Sequence, residues 1–180
     1  GFRIELVAAE PLVHDPVVIQ FAPDGKLWVV EMIGYMPNVD GIGEDQPVGT
    51  IATLEDTDGD GRMDSSVIFA DKISWPTSVC CYNGGIFVLA PQYLYYFKDT
   101  DGDGKADVRE VVLSGFGRDN VQALANGLHW GLDGKITFSA GRNPKNLLHR
   151  GQPLFSVGSN DLRFDPKTEQ FELVTGGLQF

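Results

Sequence analysis

The chain has 180 residues, of which 42% are hydrophobic, so it is long enough to bury the core of one domain. Its net charge of −11 argues against nucleic acid or an anionic membrane as a partner. No apolar run approaches the roughly 18 residues of a membrane span, so direct membrane insertion is not expected. The 22 glycines, 10 prolines and 11% aromatic residues favour short strands and tight turns, which predicts an all-β fold.

Twelve strands are predicted, in three groups of four. In chain order the first group is Val17–Ala22, Leu27–Met32, Thr50–Glu55 and Ser66–Ala70; the second is Thr77–Tyr82, Ile86–Ala90, Tyr93–Lys98 and Arg109–Leu113; the third is Gly127–Leu132, Lys135–Ser139, Ser159–Phe164 and Phe171–Thr175. In each group an Asp-Gly or Asn-Gly pair separates the first two strands, which is a strong signal for a β-hairpin. These pairs are Asp24-Gly25, Asn83-Gly84 and Asp133-Gly134.

A repeated unit of four strands is typical of the blades of a β-propeller. The predicted blades span approximately residues 12–72, 73–116 and 120–176. A two-sheet sandwich could also use twelve strands, but it would not repeat the same turn three times. Three blades do not close a ring, so we expect the chain to be a fragment of a longer propeller. Arg3–Val7, within residues 1–11, is predicted to be the outer strand of a closing blade, and Gly177–Phe180 the start of a further inner strand.

A nine-residue acidic loop of the pattern DxDxDGxxD occurs twice, at 56–64 and 99–107, and the two copies begin 43 residues apart. Carboxylates crowded at alternating positions repel one another unless a cation lies between them, and all-oxygen ligands with a Gly turn favour Ca²⁺. We therefore predict two structural Ca²⁺ sites. Four aspartates and one backbone carbonyl are the predicted ligands of each: Asp56, Asp58, Asp60, Asp64 and the carbonyl of Arg62, then Asp99, Asp101, Asp103, Asp107 and the carbonyl of Lys105.

An EF-hand is the alternative structure for these loops. It requires a helix on each side and a bidentate Glu at position 12, which is Val67 after the first loop and Glu110 after the second. The flanking segments are short, β-branched and aromatic, so we expect the loops to join strands at the tips of hairpins. The last hairpin of the third unit turns through Asp165–Thr168, where no metal site is expected.

The predicted cellular location rests on calcium. Cytosolic Ca²⁺ would scarcely fill loops of modest affinity, so a periplasmic or extracellular setting is expected. The two cysteines, Cys80 and Cys81, are adjacent in an apolar strand. Adjacent cysteines rarely pair with each other, so two buried thiols are predicted, and they leave the compartment open.

Three segments resemble a known family: 21–32 (FAPDGKLWVVEM), 54–64 (LEDTDGDGRMD) and 126–133 (NGLHWGLD). The family is that of the membrane-bound dehydrogenases of planctomycetes and verrucomicrobia, whose propeller is similar to the soluble quinoprotein glucose dehydrogenases. The resemblance implies a six-bladed ring, an exported protein, and sugar or alcohol oxidation with a quinone. It also implies that a c-type haem domain lies elsewhere in the full-length protein, since no CxxCH motif occurs in this chain.

The chain departs from the quinoprotein pattern at one position. The catalytic His of those enzymes would fall near Ala123, and residues 120–126 contain no His. Oxidation of a hydroxyl by a quinone needs a base that takes the proton. The sequence therefore argues against a quinone-dependent reaction, although the resemblance implies one.

Ligand sites of enzymatic propellers usually lie on the face opposite the Asp-Gly turns, near the central channel. Three residues there are the catalytic candidates: Glu31 as base or hydroxyl acceptor, Asn126, and Arg142 as a donor to a carboxylate or sugar hydroxyls. Each has a structural alternative: a strand-ending Glu, an Asn that satisfies backbone groups, and a solvated turn. His129 is expected to pack between blades.

Three functions fit these observations. The first is a dehydrogenase-like propeller that binds a carbohydrate or polyol in its channel. The second is a noncatalytic, Ca²⁺-dependent recognition or adhesion module. The third is a lactonase-like hydrolase, which would need Glu31 to converge with asparagines on a divalent ion in the channel.

Overall fold

Antiparallel strands joined by tight turns account for nearly all of the regular structure. The computed structural model describes residues 1–142, 146–158 and 160–176, and the side chains of residues 175–176 are not described. The strands form three separate antiparallel sheets. No α-helix occurs in these ranges, and the one helical turn is a 3₁₀ turn at Val121–Ala123. The predicted all-β fold is confirmed.

The first sheet has four strands in the order β1-β2-β3-β4. Their bounds are β1 Pro16–Phe21, β2 Leu27–Glu31, β3 Gly49–Glu55 and β4 Ser65–Ile73. The two central strands are almost continuously buried, which explains why β2 is apolar along nearly its whole length rather than at alternate positions. All four predicted strands are present, and β4 extends three residues beyond its predicted end at Ala70.

The second sheet contains the four predicted strands and two more. Its strands are β5 Ser78–Tyr82, β6 Gly85–Ala90, β7 Tyr93–Lys98, β8 Val108–Ser114, β11 Leu148–His149 and β12 Gln152–Pro153. The short β11–β12 hairpin pairs with the outer strand β8 through Leu148 and His149. This hairpin was not predicted. Its segment belongs in sequence to the third predicted unit but covers the edge of the second sheet.

The third sheet has the order β14-β13-β10-β9. Its strands are β9 Asn126–Trp130, β10 Ile136–Ser139, β13 Asn160–Asp165 and β14 Gln170–Gly176. These four agree with the predicted strands to within a few residues. Ser159, the predicted start of the third strand, and Gly177–Phe180, the predicted further inner strand, lie outside the described residues.

The N-terminal run Arg3–Val7 forms no strand, contrary to the prediction of an outer strand. Its position is nevertheless informative. The backbone N–H of Met63 donates to the carbonyl of Val7 at 2.9 Å, and that of Ala106 donates to the carbonyl of Phe69 at 2.8 Å. Met63 and Ala106 are both the eighth residue of an acidic loop, and Phe69 lies in the outer strand β4. Val7 thus accepts a hydrogen bond from the first acidic loop in the same way that Phe69 of β4 accepts one from the second. The closing blade itself stays a prediction.

Most of the core lies between neighbouring sheets, and a smaller buried cluster packs the N-terminal segment against the first sheet. One buried cluster joins the first and second sheets and includes Ile51, Phe69, Ile86 and Phe97. A second joins the second and third sheets, through residues that include Leu94, Leu113, Phe138 and Phe164. Each sheet packs face to face on the next one along the chain, through one of these buried clusters. Sheets packed in this way form a propeller-like arrangement. The number of blades in the complete protein stays a prediction.

The inner strands β1, β5 and β9 are neighbours, and polar bonds join them. Gln20 accepts from the N–H of Cys81 at 3.2 Å, Ser78 accepts from the N–H of Leu128 at 2.9 Å, and Trp130 donates to the carbonyl of Cys81 at 3.1 Å. These contacts fix the relative positions of the inner strands.

Two leucines give a matched test of this core. Leu94 is fully buried, whereas Leu132 is fully exposed at a turn. We expect Leu94→Ala to lower the free energy of unfolding by about 2–5 kcal/mol, because it removes buried methyl groups and leaves a cavity. Leu132→Ala should change it by no more than about 0.5 kcal/mol. Urea unfolding followed by tryptophan fluorescence measures both. Equal effects of the two substitutions would contradict the assignment of Leu94 to the core.

Candidate functional site

The acidic loops and the Asp-Gly turns lie at the same end of the sheets. Both loops join antiparallel strands, β3 to β4 and β7 to β8, so they are hairpin tips and not EF-hands. Lys26, next to the first Asp-Gly turn, pairs with Glu55 at the base of the first loop. Lys98, at the base of the second loop, donates to the carbonyl of Asn83 at 3.1 Å. The opposite end of the sheets is therefore free of these loops.

The first aspartate of each loop organises the turn that follows it. Asp56 accepts from the N–H groups of Gly59 at 2.7 Å and Gly61 at 2.9 Å. In the second loop Asp99 makes the same two bonds, to Gly102 at 2.6 Å and Gly104 at 2.9 Å. These backbone bonds hold the pKa values of both carboxyl groups below their usual range. Gly61 and Gly104 have φ of 89° and 83°, a conformation that favours glycine.

The last aspartate of each loop ties its end to its beginning. Asp64 accepts from the backbone N–H of Thr57 at 3.0 Å, and Asp107 accepts from that of Thr100 at 2.7 Å. The bond from Thr100 also lowers the pKa of Asp107. The two loops, in different sheets, thus repeat the same internal hydrogen bonds at equivalent positions.

Three carboxylates converge in each loop. Oxygen atoms of Asp56, Asp58 and Asp60 lie within 4.8 Å of one another, and so do those of Asp99, Asp101 and Asp107. The other two predicted ligand carboxylates, Asp64 and Asp103, fall outside these groups. Arg62 and Lys105, whose carbonyls were predicted as ligands, donate their N–H groups to Asp60 and Asp103, each at 2.8 Å. A set of closely spaced carboxylate oxygens fits a hard cation such as Ca²⁺.

A second feature lies at the opposite end, where a cleft of about 510 Å³ opens between the inner strands. Asn126 lines this cleft, and its side-chain amide donates to the carbonyl of Leu124 at 3.0 Å. His129 also lines it, with Nδ1 at 2.8 Å from the carbonyl of Gly127. The cleft has apolar walls with a few polar groups, which is the usual character of a small-molecule site.

Arg142 lies beside the 3₁₀ turn Val121–Ala123, of which Val121 lines the cleft. Its backbone N–H donates to the carbonyl of Ala123 at 2.8 Å, and its side chain is exposed. The preceding Gly141 has φ of 70°, and a Cβ there would lie 2.5 Å from the backbone nitrogen of Ala125. Only glycine fits this approach. The structure therefore brings two of the three catalytic candidates, Asn126 and Arg142, to the turn that contains Ala123.

Glu31 is not displayed in this cleft. It is 3% exposed, and its carboxylate accepts from the backbone N–H of His14 at 2.8 Å and from the hydroxyl of Thr50 at 2.5 Å. Ala90 and Ala140 occupy the equivalent positions of the other two units, each six residues after the Gly of its Asn-Gly or Asp-Gly turn. A buried carboxylate held by two donors anchors the segment before β1 to β2 and β3.

The sequence analysis missed Thr50 as the partner of Glu31. The information was present, because the predicted strands Leu27–Met32 and Thr50–Glu55 are antiparallel neighbours, which places the end of one opposite the start of the other. The register confirms this pairing. The cation–π contact between Arg118 and Trp75, 4.6 Å from the ring centroid, was also missed, and no sequence signal indicates it.

Both cysteines are free thiols. Cys80 is buried, as predicted, whereas Cys81 is only partly buried. Burial raises the pKa of Cys80 to about 12 and that of Cys81 to about 11. Neither thiol is therefore an activated nucleophile at neutral pH.

Comparison with known proteins gives one family. A family described as "Domain of unknown function (DUF7133)" matches residues 1–180. The chain belongs to this family. No curated protein matches the sequence.

The solved structures of similar fold include the holo form of the PQQ domain of pyranose dehydrogenase from Coprinopsis cinerea, with a TM-score of 0.55 and 14% sequence identity. The match covers 86% of this chain and 34% of that one, so the chain spans about a third of the length of its structural neighbour. This agrees with the resemblance to quinoproteins at the level of the fold. In the part of the chain that the structure describes, no helix is long and apolar enough to cross a membrane.

A PQQ-type quinone was tested against the residues of the inner-strand cleft. Such a quinone carries carboxylates, which proteins usually bind with Arg or Lys. Among the described residues that line the cleft there is no Arg or Lys, and Arg142 does not line it. The expected catalytic position is Ala123, in the 3₁₀ turn. These residues do not fit the quinone, and no redox step follows from them.

The raised pKa values of the cysteines give a kinetic prediction. Alkylation by iodoacetamide requires the thiolate, so at pH 8 both native thiols should react more than about 100-fold more slowly than free cysteine. In urea both should react at the ordinary rate. Mass spectrometry of timed samples measures each site. Fast alkylation of either cysteine in the native protein would contradict the assigned environment.

Proposed function

We propose that this chain is part of an exported, calcium-stabilised β-propeller that binds a carbohydrate or polyol in the inner-strand cleft. The observation that carries the calcium assignment is the repetition of one hydrogen-bond pattern in two acidic loops of different sheets. A chance acidic turn would not reproduce the same bonds from the first and last aspartates.

The role of the two ions would be structural. Each loop lies at the end away from the cleft, and its eighth residue bonds to the preceding segment, Val7 or Phe69. A cation that binds only the folded loop stabilises the folded protein by mass action. Export follows from the same chemistry, because millimolar Ca²⁺ outside the cytoplasm can fill loops of modest affinity.

Binding of a polyhydroxylated ligand is supported by the groups near the cleft. The amide of Asn126 and the guanidinium of Arg142 are suited to sugar hydroxyls, and the apolar wall includes Val17, Met32 and Leu128. The buried Glu31 would act from outside the cleft, by fixing the segment that leads into β1.

Oxidation of the bound sugar or alcohol is the second candidate. The likeness to a PQQ domain favours it, and the full-length protein would then carry a c-type haem domain elsewhere. The cleft residues do not support it, because no Arg or Lys is among the described residues that line the cleft, and residues 120–126, where the catalytic His of quinoproteins would fall, contain no His. A recognition module without catalysis needs only the calcium loops and the cleft. A lactonase-like site would need Glu31 to bind a channel ion, whereas its oxygens are enclosed by His14 and Thr50.

Calcium binding is tested by titration and by thermal unfolding. We expect two Ca²⁺ ions per chain in isothermal calorimetry, and a stabilisation of about 2.7 kcal/mol per site when free Ca²⁺ is 100 times the dissociation constant. Asp56→Asn and Asp99→Asn should each remove one site. Mg²⁺ should bind much more weakly, because the loops cannot give it compact octahedral coordination.

The matched control is Asp119→Asn, which removes one exposed carboxylate outside both loops. It should leave the stoichiometry at two. If EDTA does not lower the thermal midpoint, or if the control weakens binding as much as Asp56→Asn does, the calcium assignment is wrong.

Sugar binding is tested with a panel of neutral sugars and polyols in the calcium-loaded protein. We expect Asn126→Ala to weaken the affinity by about 2- to 10-fold, the value of one neutral hydrogen bond. Arg142→Ala should weaken it more, because its hydrogen bonds are charge-assisted. Gln170→Ala, at an exposed position of the third sheet, is the control that should change nothing.

Added PQQ and an electron-accepting dye separate binding from oxidation. Dye reduction that depends on both sugar and quinone would establish the dehydrogenase. It would also contradict the conclusion that the cleft residues do not fit a quinone. Binding without dye reduction would support the recognition module. Binding that none of the cleft substitutions affects would place the sugar site elsewhere.

A further inference from the structure

A second cleft, of about 560 Å³, lies between the first and second sheets on the side of the second acidic loop. It is formed by the outer strand β4, by the start of β8 and by the end of the loop that precedes β3. It is separate from the inner-strand cleft, since the two share no lining residue. Nothing in the proposed function uses it.

Arg109 is a polar group of this cleft with several defined contacts. Its guanidinium lies 5.0 Å from the ring centroid of Tyr95 and 5.4 Å from that of Phe97. Its two terminal nitrogens donate to the carbonyls of Asp71 and Lys72, at 3.3 and 3.2 Å. These four contacts hold the guanidinium in place, but none of them neutralises its charge.

Two further cations line the same cleft, Lys72 and Lys105. Among the described residues, neither lysine nor Arg109 forms an ion pair with a carboxylate. The chain as a whole carries a net charge of −11, with 25 acidic residues against 14 Lys and Arg. Among the described residues that line the cleft, Asp71 is the one acidic residue. The described lining therefore carries three positive charges and one negative charge.

The remaining wall of the cleft is apolar. Val48 and Ile68 are exposed, and Phe69 and Phe97 form the floor as part of the core between the two sheets. Apolar surface beside cations that have no ion-pair partner can bind a ligand with both characters.

We propose that this cleft binds an organic oxyanion, in which a sulfate, phosphate or carboxylate group is attached to an apolar body. The charged group lies between Arg109, Lys72 and Lys105, where it receives charge-assisted hydrogen bonds. The apolar body covers Ile68 and Val48. Because Arg109 already joins β8 to the end of β4, a bound anion also strengthens the contact between the two sheets.

A simpler explanation for the cations is that they balance the acidic loop 99–107. In that case they would favour the loop carboxylates over an external anion. Arg109 contacts instead two backbone carbonyls and the rings of Tyr95 and Phe97, and Lys105 forms no ion pair with the described loop aspartates. The two explanations give opposite results in the experiment below.

The test uses the calcium-loaded protein and three probes: hexyl sulfate, inorganic sulfate and hexanol. Calorimetry should show binding of hexyl sulfate, weaker binding of inorganic sulfate and none of hexanol. Lys72→Gln and Arg109→Gln should each weaken hexyl sulfate binding by about tenfold, as expected for the loss of a charge-assisted contact. Lys167→Gln, an exposed lysine elsewhere, should leave the affinity unchanged. Higher ionic strength should weaken binding of both anions.

Arg109→Gln removes contacts between the sheets, so a folding defect in that variant would be uninformative alone. Lys72→Gln changes an exposed side chain and keeps the test valid. If the wild-type protein binds no hexyl sulfate, or binds it equally well after Lys72→Gln, the proposal is wrong. It is also wrong if Lys72→Gln raises calcium affinity while anion binding is absent, because the lysine then balances the charge of the acidic loop. None of these outcomes depends on the sugar cleft.

Discussion

The structure depends most on one kind of backbone hydrogen bond, which each acidic loop makes at the same position. The eighth residue of each loop donates its N–H across to the segment that precedes the sheet, from Met63 to Val7 and from Ala106 to Phe69. An acidic loop at the tip of a hairpin would otherwise be free to move, since its carboxylates repel one another. A cation bound in the loop as proposed would hold this N–H in position. The bond from the second loop joins its sheet to the first sheet, and the bond from the first loop joins its sheet to the N-terminal run.

The other end of the sheets is held by a different kind of contact. Thr77 donates its hydroxyl to the carbonyl of Ala125 at 2.6 Å, and Ser78 accepts from the N–H of Leu128 at 2.9 Å. These are direct bonds between inner strands and need no ion. The two ends of the sheets thus differ: the acidic loops, where the proposed cations would bind, lie at one end, and direct bonds between the inner strands lie at the other, beside the cleft. Calcium bound as proposed would stabilise the assembly of sheets without entering any chemistry in the cleft.

The sequence predicted the strands well because each signal was local. A pair such as Asn83-Gly84 between two apolar runs specifies a hairpin within a few residues, and the structure has that hairpin. The β11–β12 hairpin was missed for the opposite reason. Its strands have two residues each, and what stabilises them is pairing with β8, which is remote in sequence. No local pattern can indicate such a partner, because tertiary pairing outweighs intrinsic preference in so short a segment. The Arg3–Val7 run shows the same dependence, since it has strand composition but no partner strand among the described residues.

Site residues were harder to predict than strands because burial, and not residue type, decides what a polar side chain can do. Glu31 looked like a base at the end of a strand, but Thr50 and the N–H of His14 enclose its carboxylate. Arg109 looked like an ordinary residue of an outer strand, yet two carbonyls and two rings fix its guanidinium without neutralising it. A satisfied, enclosed carboxylate has little left to offer a ligand, whereas a positioned cation with no ion-pair partner can still attract an anion. For this chain, the unpaired charge is therefore a better guide to a binding site than the buried carboxylate.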